Sequence, residues 1–471
     1  MDKMTQLRQI LGRPELELSP DQFAALEVYG DFIREEHAER QTMLLTGSAG
    51  TGKTFLIDII SRLLRKDGYK VILLAPTGRA AKVIARRAQR PAYTIHHHIY
   101  SPRDDSYGEL RFNLKANKEK DRVCYIVDEA SMIGDHRDGS SSQSLLRNLM
   151  QYVFQGEASR RLILVGDPVQ LPPVGHSESP ALDPEYLTFK LDLVVYHAHL
   201  TDVKRQMVDS GVLENAVRLR DAYQSGAETV QIVPDRDVLI LEQAYEAVET
   251  YMGYHEDGNP DRVVFLTYSN YLATRVNQGI RHELHQTEEL LVPSDLIMVV
   301  KNNYTWGDNK RMPFIANGEM GTVREVYAET RETRYGLNWV EASVEFTDTR
   351  GEPMLLDVML VLDLLQNKQA QLENDALYRV LSHRQAEYRD ISPTEAASKL
   401  RTDPYVNALQ IKYGYAVTGH KAQGGQWENV LIAFEPDYGQ NPQAYLRWTY
   451  TVCTRAEARL FLLNCPFVET Y

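Results

Sequence analysis

The stretch Gly47-Ser48-Ala49-Gly50-Thr51-Gly52-Lys53-Thr54 matches the spacing G-x-x-x-x-G-K-[ST]. Its glycines let backbone N–H groups close around phosphate oxygens at a helix N-terminus. Lys53 is placed to reach the β and γ phosphates, and Thr54 to ligate Mg²⁺. Two carboxylates, Asp128 and Glu129, follow the apolar run from Val123. Charges at the end of a buried strand need a cation, which assigns Asp128 to the metal and Glu129 to the attacking water. A third polar turn, "GDPVQLPPVG" from Gly166 to Gly175, is stiffened by proline and projects the Gln170 amide toward a γ-phosphate or its water. Arg205 and Arg455 are candidates for stabilising charge in the transition state. The expected cofactors are ATP and Mg²⁺.

These groups need strands to carry them. Four short apolar runs, Thr42 to Gly47, Val71 to Pro76, Val123 to Glu129 and Leu162 to Asp167, alternate with helical stretches, the pattern of a parallel α/β sheet. Ligands of such sheets gather at the carboxyl ends of the strands. After Lys53, Phe55, Leu56, Ile59, Ile60, Leu63 and Leu64 fall on one helical face, with Gly68 as the stop. A polar insertion near residues 97–121, with a Tyr107-Gly108 turn, reads as a β-hairpin. A second α/β segment starts at Arg262 and resumes after about residue 405, and between them short strands and turns predict an inserted antiparallel barrel.

At 471 residues the chain is too long for one core, so more than one domain is expected. A net charge of -13 lowers the expectation of a nucleic-acid partner, although a local basic groove is compatible with it. Three scattered cysteines fit neither a disulfide framework nor a zinc site, and no apolar run approaches the ~18 residues of a membrane span. The expectation is a cytoplasmic protein with no membrane partner.

The ordered set "LSPDQFAAL", "GSAGTGKT", "LLAPTGRAA", "TIHHHIY", "IVDEASM", "LVGDPVQLPPVG", "KRQ", "VTGHKAQGG" and "YTVCTRAEA" resembles superfamily 1 helicases of the B branch, the RecD-like and Dda-like DNA helicases. The resemblance spans residues 18 to 464 and implies an α/β fold with two RecA-like P-loop domains. The first would cover residues 1–205 and carry the hairpin as a strand-separating pin. The second would cover 206–287 and 405–471, interrupted by an SH3-like barrel at 288–404. It implies that Gln22 reads adenine and that Gly47 to Thr54 hold the phosphates. Arg205 and Arg455 become the arginines facing the γ-phosphate, Gln423 and Gly424 approach the ATP cleft, and Thr77, Arg79, His96, Thr418, His420 and Lys421 line a single-strand channel. The implied activity is ATP-driven translocation along single-stranded DNA, 5′ to 3′, with unwinding of duplex forks by a monomer. A motor that does not separate strands and a nucleotide-switched interaction ATPase are the competing classes, and nothing in the sequence reads a 2′-hydroxyl to settle DNA against RNA. His96 to His98 extend the family's single histidine; neighbouring residues on one segment point apart, which disfavours a metal site. Alone, "VTGHKAQGGQWENV" is an ordinary loop; beside a motor ATPase it becomes the candidate link between DNA and nucleotide, with Trp427 packing the strand that follows.

Overall fold

A parallel sheet buried on both faces sends alternate residues of each strand into two different cores. In the computed structural model the N-terminal strands do this. On β1 (Gln41–Gly47), Met43 and Leu45 join Leu56, Ile59, Ile60 and Leu64 of helix Lys53–Lys66, while Leu44 joins Leu146, Leu149 and Val153 of helix Leu145–Val153 on the opposite face. The other strands of the N-terminal part of the chain are β2 (Lys70–Ala75), β3 (Ala92–Thr94), β4 (Tyr100–Asp104), β5 (Leu110–Leu114), β6 (Val123–Val127), β7 (Arg160–Gly166) and β8 (Val194–Leu200). The sheet order is β3-β2-β6-β7-β1-β8, parallel at every pairing. The phosphate-loop strand therefore lies inside the sheet, with its carboxyl end beside those of β7 and β8. Strands β4 and β5 pair as a separate two-stranded hairpin at the predicted insertion, and the Tyr107-Gly108 turn lies outside the described residues.

The structure describes all residues except 1–2, 14, 36–38, 105–109, 121, 137–143, 157–159, 203–209, 256–258, 309–310, 313, 349–350, 437–440 and 469–471. The chain forms two compact units. One comprises Met1–Pro76, Ala80–Pro102 and Phe112–Gln224, the other Thr77–Arg79, Arg103–Arg111 and Ser225–Tyr471. Helix Gly211–Gln224 packs with the first unit, so that unit runs past the break expected at residue 205; Val212, Leu213, Ala216 and Leu219 are its buried stripe.

The second unit holds β9 (Val238–Leu241), β10 (Val263–Thr267), β11 (Leu296–Val299), β12 (Met320–Arg334), β13 (Leu337–Thr347), β14 (Pro353–Val361), β15 (Leu409–Tyr413), β16 (Ala416–Thr418), β17 (Trp427–Ala433) and β18 (Ala456–Leu463). Its sheet runs β16-β10-β17-β18-β9, parallel throughout, and β11 to β15 close into a barrel. The barrel's fifth strand lies beyond the boundary at 404 because "LQIKY" must pair with both β11 and β14 to close it. The charged stretch before it forms helices Asn374–Glu387 and Pro393–Arg401. Among the described residues no helix is long and apolar enough to cross a membrane.

Barrel and sheet share one core, in which Phe265, Leu431 and Phe461 meet Ile297, Val344 and Ile411. A buried ion pair locks the junction. Arg281, on helix Asn270–His285, donates to both oxygens of Asp295 at 2.8 and 3.1 Å, and the Tyr415 hydroxyl donates to the same carboxylate at 2.9 Å. Their side chains are 8% and 0% exposed. Breaking one side of such a pair strands a buried charge, so Arg281→Met is expected to destabilise the second unit by roughly 3–5 kcal/mol. Arg281→Met with Asp295→Asn should recover part of this. Urea denaturation checks it, and a loss under about 1 kcal/mol in the single variant contradicts it.

Candidate functional site

The β1 strand ends where the loop must approach β8 closely: a Cβ at Gly47 would stand 2.9 Å from both Leu200 Cβ and Leu200 O. Gly50 and Gly52 then turn the chain at φ of 78° and 85°, and the helix begins at Lys53. The Lys53 ammonium donates to the carbonyls of Gly47 and Ser48 at 2.7 and 2.9 Å, spanning the loop from inside, while the Thr51 hydroxyl donates to Ser48 O at 2.8 Å. Thr54 is half-buried on the first turn of the same helix.

Asp128 and Glu129 emerge from β6, two strands from β1. Burial, and then the adjacent Glu129 carboxylate, push the Asp128 pKa up, while the nearby Lys53 ammonium acts in the opposite direction. Asp128 accepts from the Glu129 N–H at 2.9 Å, and Glu129 sits in the left-handed region with φ of 53°, uncommon for a side chain larger than glycine. The Thr54 hydroxyl and the Asp128 carboxylate are oxygen donors of the type that Mg²⁺ takes. From β7, Asp167 caps its own loop by accepting from Val169 N at 3.0 Å, and Gln170 is buried behind it, 4% exposed.

Gln22 is fully buried. Its Oε1 accepts from Ser19 N in a capping box that starts helix Pro20–Arg34, and its Nε2 donates to Thr51 O at 2.9 Å. The glutamine expected to read adenine thus braces the phosphate loop. Arg205 lies outside the described residues. A different arginine reaches the loop: Arg220, on helix Gly211–Gln224, donates from Nη1 to Ser48 Oγ at 3.1 Å and pairs with Asp221 at 2.8 Å. Sequence reasoning missed it because "RLRDAY" carries no motif; its only signal is its place directly after the buried Leu219.

In the second unit the structure gathers Thr418, His420, Lys421, Gln423, Gly424 and Arg455 around the turn from β16 to β17. Thr418 ends β16, His420 is exposed, and the helical turn Gly419–Ala422 rests on helix Pro442–Cys453. Gly419 is required there, because a Cβ would collide with the Trp448 indole. Lys421 Nζ is buried with no hydrogen-bond partner among the described residues. Burial, with Lys412 nearby, pushes its pKa down to about 8. Lys412 is also lowered to about 8 by burial, and donates to Asn367 O at 2.8 Å.

Arg455 follows the same helix and is 4% exposed. It donates to Thr451 O at 3.0 Å, Thr454 Oγ1 at 3.2 Å and Gly425 O at 3.3 Å, which ties it to the loop after Gly424. Gln423 is buried and Gly424 turns at φ of 74°. Trp427, left to strand packing by the sequence, is buried, donates its indole N–H to Pro260 O at 3.1 Å and lies 3.8 Å beneath the Arg79 guanidinium. Arg79 also pairs with Asp261 at 3.0 Å. Thr77 immediately precedes helix Gly78–Ala88. His96 lies on the short helix Ile95–Ile99 in the first unit, its ring 5.5 Å from that of Tyr100. Among the described residues no group of three or more His, Cys, Asp or Glu side chains is placed to hold a metal.

Two family models match the chain: an AAA domain over residues 18–241 and a UvrD-like helicase C-terminal domain over residues 413–463. The ATP-dependent RecD2 DNA helicase of Deinococcus radiodurans is 24% identical over 91% of this chain and 48% of its own length. The ATP-dependent DNA helicase Dda of enterobacteria phage T4 is 31% identical over 60% of this chain and 61% of its own. The chain thus spans about half the length of the RecD2 relative. The solved Pif1 helicase of Candida albicans aligns over 97% of both chains at 19% identity, with a TM-score of 0.46. The AAA model covers the phosphate loop and the UvrD-like model the β16–β18 segment, and with the ordered motifs they make the chain similar to superfamily 1B helicases.

Proposed function

We propose that the chain is an ATP-driven DNA helicase that moves 5′ to 3′ along single-stranded DNA and separates duplex strands. The observation that carries this reading is the phosphate loop with Lys53 spanning it and the Asp128-Glu129 carboxylates at the end of β6 in the same sheet.

Lys53 exchanges the carbonyls of Gly47 and Ser48 for the β and γ phosphates, opening the loop around them. Arg220 and Gln22 hold the loop's backbone and Ser48 while this happens. Thr54 and Asp128 would hold Mg²⁺, which when bound neutralises phosphate charge. Glu129 orients and deprotonates the attacking water, and Gln170 contacts the γ-phosphate or that water. Arg205 and Arg455 supply positive charge to the transition state. Arg455, bonded to Gly425 O, links hydrolysis to the loop that starts at Thr418.

On the DNA side, Thr418, His420 and Lys421 donate to phosphates, with Thr77, Arg79 and His96 completing the single-strand channel. The overall negative charge is compatible with this because the lysines are concentrated locally. The inserted hairpin is the pin and the barrel an SH3-like accessory domain.

The first test is the ATPase rate with and without single-stranded DNA. Strong stimulation by DNA is expected, with both rates abolished in Lys53→Ala. A rate indifferent to DNA would instead favour a nucleotide-switched interaction protein. The second test uses the lowered pKa of Lys421, about 8. Its ammonium is present below that pH and lost above it, so affinity for single-stranded DNA should fall as the pH rises through 8. Lys421→Arg, charged throughout, should flatten most of that fall. Anisotropy of a labelled oligonucleotide at several pH values measures this, and a wild-type affinity constant from neutral pH to well above 8 contradicts it.

A further inference from the structure

Tyr268 directly follows β10 and is 46% exposed, yet it forms the rim of an otherwise buried aromatic cluster. Its ring lies 5.4 Å from Trp448 in an edge-on arrangement at 76° and 5.5 Å from Tyr445 at 50°. Those two rings stack on each other at 5.3 Å, and Phe434 meets Trp448 edge-on at 5.7 Å. Trp448, Tyr445 and Phe434 are 0%, 3% and 4% exposed.

The backbone under Tyr268 is held from both sides. The Thr267 hydroxyl donates to Ser269 O at 3.0 Å, and the Ser269 N–H and hydroxyl each donate to the Glu435 carboxylate at 2.7 Å. The Ser269 hydroxyl also accepts from Leu272 N at 3.0 Å, capping helix Asn270–His285. The Glu435 N–H donates to the Tyr445 hydroxyl at 3.3 Å. An exposed tyrosine ordinarily loses rotamer freedom when it binds something; this one is ordered beforehand by Trp448 and the Ser269–Glu435 clamp.

Its position sets what it can bind. Thr267 is the register partner of Thr418, so Tyr268 and Gly419-His420-Lys421 leave neighbouring parallel strands side by side, ~4.8 Å apart at the backbone. The same Trp448 ring supports both, packing on Gly419 and on Tyr268. A phosphate held by His420 and Lys421 carries its base within reach of the Tyr268 ring, and a pre-ordered aromatic with one open side is suited to a base's π-face. We infer that Tyr268 is a stacking platform for one nucleobase of the bound single strand. This rests on the reading of Thr418, His420 and Lys421 as phosphate donors, and adds a base contact to it.

The test measures affinity of the full chain for a labelled oligo-thymidine and for an abasic oligonucleotide of the same length, across a salt series. Tyr268→Ala and Tyr268→Leu should bind oligo-thymidine about 5- to 150-fold more weakly, the range for one stacked base. Tyr268→Phe should bind like wild type. The salt slope of Tyr268→Ala should match wild type because no phosphate contact is lost, whereas Lys421→Ala should flatten it. On the abasic strand wild type and Tyr268→Ala should be equal. The inference is overturned if Tyr268→Ala binds oligo-thymidine like wild type, if Phe fails to restore affinity, or if the abasic strand still separates the two proteins. A wild-type chain that binds neither strand overturns the underlying DNA reading and this inference with it.

Discussion

An ammonium group buried with no hydrogen-bond partner among the described residues constrains the turn between β16 and β17. Lys421 Nζ is out of water, without a hydrogen-bond partner among the described residues, and faces the field of Lys412 rather than a carboxylate. Desolvation at this site is unfavourable unless a negative group arrives, and both lysines answer by giving up part of their affinity for the proton. The turn that holds Lys421 is itself tightly specified, with Gly419 pressed on Trp448 and Gly425 O bonded to Arg455. In the proposed reading, a DNA phosphate entering this turn would meet a group already withdrawn from solvent.

The first unit shows the same logic with the signs mixed. Lys53 donates to two loop carbonyls, and the Glu129 carboxylate at the end of β6 raises the pKa of the buried Asp128 beside it. In the proposed reading a magnesium nucleotide would bring phosphates to Lys53 and a cation to Asp128. The parallel sheet makes this possible, because β1, β6 and β7 deliver their polar ends to one side while both faces stay apolar. Gln22 and Arg220 stiffen the loop from behind, through Thr51 O and Ser48 Oγ.

Much of this was legible in the sequence where chemistry and periodicity coincide. Continuous apolar runs ending in Gly47, Asp128 and Gly166 identified β1, β6 and β7, and the alternating segment after Glu288 identified the barrel. Strands β3 and β8 escaped notice, one because three residues carry no period, the other because "VVYHAHL" lies on the sheet edge with alternate residues in solvent. The barrel's closing strand was hidden because Lys412 interrupts "LQIKY" with a charge that is buried only in the folded chain. Gln22 was read from resemblance as an adenine contact, yet its capping box and its bond to Thr51 O follow from Ser19 three residues earlier, a local signal available in "LSPDQ". Arg220 and Tyr268 belong to no motif; both acquire meaning only from what the fold sets beside them.

Directional strand separation driven by ATP hydrolysis is the activity proposed for this chain. Unwinding of two duplexes, one with a 5′ single-stranded tail and one with a 3′ tail, tests that claim in a single assay with ATP and Mg²⁺. Separation of the 5′-tailed duplex and not the 3′-tailed one is the predicted result. Hydrolysis of ATP with neither duplex separated, or separation of the 3′-tailed duplex alone, would contradict it.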